Sequence, residues 1–380
     1  MNRIAFFLIS AVLHLYIGLR LIPSLSAWPS AVALMALMLV LTFSLLHLGV
    51  LFHRRSHRYG DLVSWVSMSA MGLFSSLFVL TLLRDAMLIT VAIVAYLTAM
   101  VWPSALETGS ALFVPIATIL ITLVGLWNAR RTASVVKVDV PIAGLPPALN
   151  GFTIAQISDV HVGATIKQKY VDGIVDAVNR LDADMVAVTG DLVDGSVADL
   201  ARHVSPLGRL ASRHGTFFVT GNHEYYSGAP AWIAELRRLG MRVLLNEHVV
   251  LQHDNAALIV AGVTDYSAHH FNPSQRSSAK KAIAGAPVNA LVRVLLAHQP
   301  RSAPDAAEAG FQLQLSGHTH GGQFLPWNFF VRLQQPFTAG LHRLKNLWVY
   351  VSRGTGYWGP PKRFGAPSEI TQLRLVPANP

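Results

Sequence analysis

The chain has 380 residues, 52% of them hydrophobic and 13% charged, with a formal charge of +10 and no cysteine. Charged residues run at about half the roughly 25% of ordinary globular domains, which excludes a disordered chain and argues against a wholly water-soluble one. The missing thiols exclude a disulfide framework, a thiolate zinc site and a cysteine nucleophile.

Residues 1–131 hold eight Arg, no Lys and three acids, Asp61, Asp85 and Glu107. Their apolar runs cover 4–22, 31–52, 62–83, 86–102 and 111–127. About 20 apolar residues cross roughly 30 Å of hydrocarbon, so residues 1–131 are predicted to form a transmembrane helical domain of four or five spans. The first run reads as an anchor, being long for a signal peptide and without a clean small-x-small cleavage site. Arg84-Asp85 separates the third and fourth runs. A single span over 62–102 would be far too long for a bilayer. His14 and His47 read as histidines facing a neighbouring helix or the interface.

Sidedness stays open at this level. The basic stretch His53-Arg54-Arg55-Ser56-His57-Arg58 argues for the cytoplasm, and so do Arg130, Arg131 and Lys137 after the last run. With five runs, three lie between these stretches, and both cannot be inside. The charge points to anionic membrane surfaces or anionic substrates, and no nucleic-acid partner is expected.

Composition changes at Asn128. Residues 132–149, with Val140-Pro141 and Pro146-Pro147, read as a linker and edge strand, and 150–380 as a second domain. Strands are predicted over 153–157, 185–189, 216–220, 257–263, 291–297, 311–315, 347–352 and 369–376, and helices over 167–181, 197–212, 229–239 and 301–309. The early β-α-β-α-β-α order predicts parallel pairing with right-handed crossovers. The later strands lack long helices between them, which predicts a second, more antiparallel sheet.

Polar clusters close five of these strands: Ser158-Asp159-Val160-His161, Gly190-Asp191, Gly221-Asn222-His223-Glu224, His298-Gln299-Pro300 and Gly317-His318-Thr319-His320-Gly321-Gly322. Ligands of open α/β sheets bind outside the carboxyl ends of the strands. Asp159, His161, Asp191, Asn222, His298, His318 and His320 offer seven oxygen or nitrogen ligands, more than one cation takes from side chains. Two cations sharing a carboxylate would use them all, and this sulfur-free set suits Mn, Fe or Zn. Singly, Gly-Asp is an ordinary turn and Asn-His-Glu an ordinary helix start. Their conjunction carries the inference.

The order Asp159-x-His161, Gly190-Asp191, Gly221-Asn222-His223-Glu224, His298, Gly317-His318-x-His320 resembles the calcineurin-like metallophosphoesterase superfamily. The apolar front and the tail Ser352-Arg353-Gly354-Thr355-Gly356 … Pro361-Lys362-Arg363 resemble its membrane-anchored bacterial branch. The resemblance implies an α/β four-layer sandwich, two mixed β-sheets flanked by helices. It implies that Asp159, His161, Asp191 and His320 hold one divalent ion and Asp191, Asn222, His298 and His318 the other, with Asp191 bridging. His223 is then the non-ligand histidine beside the leaving group, oriented by Asp191 or the loop backbone.

The expected activity is hydrolysis of a phosphodiester, phosphomonoester or pyrophosphate by metal-activated water, on a lipid-linked or envelope substrate, by a multi-pass protein of the cell membrane. The alternative is a non-catalytic membrane scaffold or regulatory metal-binding module that keeps the fold. Tyr225, Tyr226 and Arg363 are candidate substrate contacts. Tyr357 and Trp358 read as an apolar lip or a packed C-terminal loop.

Overall fold

The computed structural model describes residues 3–52, 60–99, 101, 104–287 and 290–378, so the basic stretch 53–58 lies outside the described residues. The chain divides into two compact units, Met1–Asn128 with Gly359–Lys362, and Ala129–Trp358 with Arg363–Pro380.

The first unit is built on α1 (Arg3–Leu21), α2 (Pro29–Phe52), α3 (Gly60–Thr98) and α4 (Ser104–Arg130). All four are long and apolar enough to cross a membrane. The runs 62–83 and 86–102 were expected as separate spans, yet 62–98 lie on the one continuous helix α3. Its 39 residues extend about 58 Å at 1.5 Å per residue.

Arg84-Asp85 does not break α3 because other segments of the bundle supply polar partners to both side chains. Arg84 is buried. Its guanidinium donates to Ser110 Oγ (3.0 Å), Ser24 Oγ (2.8 Å), Arg20 O (3.1 Å) and Glu107 O (3.2 Å). Asp85 accepts from Tyr16 Oη at 2.5 Å and Arg20 Nε at 2.8 Å. A charge with this many partners escapes most of its desolvation penalty. His14 stacks on Phe74 and His47 on Phe7, with ring centroids 4.3 and 4.0 Å apart. Each Nδ1 lies close to the carbonyl four residues earlier. Gly359–Lys362 belongs with these helices: Lys362 Nζ donates to Gly72 O (2.8 Å), Ser76 Oγ (2.5 Å) and Thr122 Oγ1 (3.2 Å).

The second unit contains β1 (Ser134–Ile142), β2 (Thr153–Ile157), α5 (Gln168–Asn179), β3 (Met185–Val188), α6 (Val197–Val204), β4 (Thr216–Phe218), α7 (Asn222–Ser227), α8 (Ala229–Arg238), β5 (Arg242–Val243), β6 (Glu247–His253), β7 (Ala256–Gly262), α9 (Ala279–Ile283), β8 (Val292–Leu296), α10 (Ala303–Glu308), β9 (Leu313–Ser316), α11 (Asn328–Val331), β10 (Gly340–Leu344), β11 (Leu347–Val351) and β12 (Glu369–Pro377). One sheet runs β1-β12-β2-β3-β4-β5 and the other β10-β11-β9-β8-β7-β6.

The central strands are apolar on both faces, as strands covered from both sides must be. Ile154, Met185, Phe217, Val260, Val294 and Leu315 meet in the core between the sheets. Ile157, Val188 and Phe218 point instead to the layer where α5, α6 and α8 pack. Buried Val171, Ile174, Val175 and Val178 of α5 repeat at helical spacing. Ile259, Leu295 and Val349 face α9 and α10 on the far side. Helix, sheet, sheet and helix make the four layers.

In the first sheet β2, β3, β4 and β5 pair in parallel, and β12 is antiparallel to β2. The second sheet departs from the antiparallel expectation. β7, β8, β9 and β11 are mutually parallel, and only the outer pairs β6–β7 and β10–β11 are antiparallel. Short crossovers through α9 and α10 suffice to return the chain, so long helices were not required.

At the amino-terminal end of the first sheet, His214 Nε2 lies 3.0 Å from His253 Nδ1. Asp184 and Asp254 lie 3.9 and 3.8 Å from His253, and Arg213 binds Asp254. Burial, then repulsion from His253 and Arg213, lowers the His214 pKa. A lowered imidazole pKa contributes stability above its unfolded value of about 6.5, lost as pH falls through that range. The midpoint in thermal unfolding should therefore fall between pH 7 and pH 5, by roughly 2–4 °C per kcal/mol lost. His214→Gln should flatten that slope; an unchanged slope would show that the pair does not set it.

Candidate metal centre

The carboxyl ends of β2, β3 and β4 in one sheet and of β8 and β9 in the other release all five polar clusters. Asp159, His161 and His320 form one group with ligand atoms within 4.8 Å of one another, and Asp191, His298 and His318 form a second. Asp191 Oδ2 faces both, 3.1 Å from His298 Nε2 and 3.9 Å from His161 Nε2.

The backbone is bent to achieve this. Asp159, His161, Asp191, His318 and His320 all have φ between +52° and +71°, a conformation costing a non-glycine residue on the order of 1–3 kcal/mol. Glycines let the strands approach: a Cβ on Gly317 would strike Ser158 Oγ and Asp159 Oδ2, and one on Gly221 would strike Asp191 Oδ1.

The donor set fits divalent cations. His161 Nδ1 is 2.9 Å from Asp194 Oδ1, and His298 Nδ1 is 2.7 Å from Thr189 O. Acceptors at Nδ1 place the proton there and leave the Nε2 lone pair facing the site. Yet His161 Nε2 lies 3.1 Å from His320 Nε2, and His298 Nε2 lies 3.2 Å from His318 Nδ1. Two bare nitrogen lone pairs do not face each other at that distance, so each pair must share a proton or a cation. Asn222 is buried, and its Oδ1 has no hydrogen-bond partner. A buried amide oxygen left so is costly, and it is one of the seven expected ligand atoms.

Electrostatics give the same reading. Burial would lower His161, but Asp194 overrules it and raises the imidazole to about 9. For His298, burial is outweighed by Asp191 and the pKa lies well above the histidine value. Burial lowers their partners, His318 to about 3 with help from His298, and His320 far down with help from His161. One imidazole of each pair thus takes a proton that its partner cannot, where a cation would otherwise sit. Against burial, His298 holds Asp191, and His161 holds Asp194, below the usual carboxylate range.

Two carboxylates do work that the sequence reading did not assign. Asp194 Oδ1 accepts from His161 Nδ1 and, at 2.6 Å, from His223 Nδ1. His223 was expected to be oriented by Asp191 or the loop. Asp191 Oδ1 does accept its backbone N–H at 2.9 Å, but the imidazole is held by Asp194. Only its position three residues after Asp191, in the same loop, hinted at it. Glu224 is fully buried and accepts from Asp191 N, Leu192 N and Gly221 N at 3.0, 2.7 and 2.7 Å. It ties the loops after β3 and β4 together. Burial, then Asp191, raises its pKa to about 7.

Loss of a carboxylate behind a ligating histidine commonly costs about 10–100-fold in metal affinity or activity. Asp194→Asn should weaken Mn²⁺ binding, read by calorimetry, by that factor. Unchanged affinity would reduce Asp194 to a packing role.

The substrate-contact candidates fall differently. Tyr225 is half-buried, and its hydroxyl donates to Gln275 Oε1 at 2.7 Å. Tyr226 and Trp358 are exposed instead, with rings 5.2 and 5.5 Å from His223. Tyr357 is buried. Arg363 is fully buried and its guanidinium is spent on Gly356 O, His320 O and Arg353 O, with Nη2 3.1 Å from His320 Nδ1. It braces the backbone under His320 rather than reaching a substrate phosphate.

A family model for the calcineurin-like phosphoesterase domain matches residues 152–322. The chain is 41% identical over 280 residues to a Bos taurus protein named transmembrane protein with metallophosphoesterase domain, covering 70% of this chain and 62% of that one. It is 42% identical over 231 residues to an uncharacterized metallophosphoesterase of Helicobacter pylori, covering 60% of each. An uncharacterized metallophosphoesterase of Aquifex aeolicus is 32% identical over 224 residues, 58% of this chain and 84% of that one. The chain thus spans about three-fifths of the first two relatives and most of the third. With the family's ligand types at the ends of five strands in two packed sheets, the chain belongs to the calcineurin-like metallophosphoesterase superfamily.

Proposed function

We propose that the protein is a multi-pass protein of the cell membrane that hydrolyses phosphate esters at a binuclear metal centre, with a lipid-linked or envelope substrate. The reading rests on Asp191 Oδ2, which faces both imidazole pairs while Asn222 Oδ1 has no other partner. Asp159, His161, Asp191 and His320 would hold one divalent ion, and Asp191, Asn222, His298 and His318 the second. Such a pair supplies Lewis-acid chemistry, drawing charge from phosphoryl oxygens and making water nucleophilic near neutral pH.

His223 is the proton-handling residue. Asp194 fixes its Nδ1, and the backbone bond to Asp191 fixes its loop, so Nε2 is left beside the carboxylate at 4.0 Å. In its protonated form it donates to the departing oxygen. Tyr226 and Trp358 flank its ring, with centroids 5.2 and 5.5 Å away.

The test is release of 4-nitrophenolate from bis(4-nitrophenyl) phosphate by the detergent-solubilised full chain, with Mn²⁺, Zn²⁺ or Fe²⁺ and with chelator. Release that chelator abolishes and metal restores is expected. Silence with every metal would favour a non-catalytic module.

A further inference from the structure

We infer that the phosphoesterase unit lies on the cytoplasmic side of the bilayer, so its substrate is a phosphate ester presented from that face. The inference rests on the membrane-spanning reading proposed above. Its key observation is the continuity of α3. A helix that never reverses direction crosses a bilayer once, however far its 39 residues extend beyond about 30 Å of hydrocarbon. Two crossings, α3 and α4, then separate the segment after α2 from residue 130, where five runs would have put three. An even number returns the chain to the same side.

The two basic stretches no longer conflict. One side receives Arg3, Arg54, Arg55, Arg58, Arg130, Arg131 and Lys137; these are charges of the sequence, the segment 53–59 being outside the described residues. The connection 22–28 and residues 99–103, on the other side, hold no charged residue. The two arginines nearest that side, Arg20 and Arg84, are both tied to Asp85. Seven Lys or Arg against two is the asymmetry that orients multi-span proteins with the rich side inward. The second unit continues from residue 129 on that rich side. Esters confined to the outer leaflet or the outer compartment are thereby excluded as direct substrates.

The absence of cysteine makes a background-free test possible. Ser205 is exposed in the second unit, and Ser26 is exposed between α1 and α2. Ser205→Cys and Ser26→Cys full-length chains would be treated with a membrane-impermeant maleimide in intact bacterial cells, then after permeabilisation. Ser205→Cys is expected to label only after permeabilisation and Ser26→Cys already in intact cells. Labelling of Ser205→Cys in intact cells would overturn the assignment. Should either variant fail to accumulate, a green fluorescent protein fused at the C-terminus replaces it: fluorescence supports the assignment, and a full-length dark fusion contradicts it. Neither readout depends on catalysis, so a failed orientation leaves the hydrolysis result intact, and the reverse.

Discussion

Asp191→Ala is expected to abolish binding of both metal ions and to lower phosphodiester hydrolysis by at least about 10³-fold, the upper range for losing one group that stabilises transition-state charge. The reason is position. Asp191 Oδ2 is the carboxylate oxygen facing both His298 and His161, and Oδ1 holds the His223 backbone. Without it, His298 and His318 face each other with no anion in their group, and a divalent ion there would be buried uncompensated. The side chain is buried beside Gly221, so alanine opens space rather than creating a clash. Metal content by mass spectrometry after loading and desalting reads the result. Retention of two ions per chain would remove Asp191 from the bridging role.

His223→Ala should separate chemistry from metal binding. Its Nε2 is 4.0 Å from Asp191 Oδ2, and its Nδ1 is bound to Asp194, so it is not counted among the seven ligands. Loss of a positioned proton donor typically costs about 10²–10⁴-fold. Turnover should fall by that factor while both ions stay. The loss should be smaller for a substrate whose leaving group is acidic enough to depart without a proton, 4-nitrophenol against a simple alcohol. Equal losses for both leaving groups, or full activity, would contradict the role.

The candidate ligand set was legible because imidazoles and carboxylates at the ends of apolar runs have no packing reason to be there. Asp159, Asp191, Asn222, His298, His318 and His320 each follow a strand whose apolar run was readable; the carboxylates and imidazoles among them lie with His161 in groups of candidate ligands, and Asn222 is buried with its Oδ1 unpartnered. Asp194 escaped because a second acid in a loop looks like any turn residue, and only its aim at two imidazoles distinguishes it. Arg363 misled for the opposite reason: a basic residue in a Pro/Gly-rich tail reads as surface, and nothing local reveals the carbonyls of Gly356, His320 and Arg353 that enclose it.

Arg84-Asp85 failed as a helix boundary by the same logic. In the sequence it interrupts an apolar run. In the bundle Ser24, Ser110 and Tyr16, from distant segments, supply the polar partners. The second sheet was misread because strand direction depends on where the chain returns, and α9 and α10 with their flanking turns suffice for a parallel crossover. What stayed hidden was in each case a long-range partner rather than a local propensity.

The central claim is that seven side chains on five strand ends gather around a pair of divalent cations. Its most direct test is the number of Mn²⁺ ions bound per chain by the purified wild-type protein at saturation, measured by isothermal titration calorimetry after chelator treatment. Two are expected; saturation at one ion, or no binding at all, would contradict a binuclear centre.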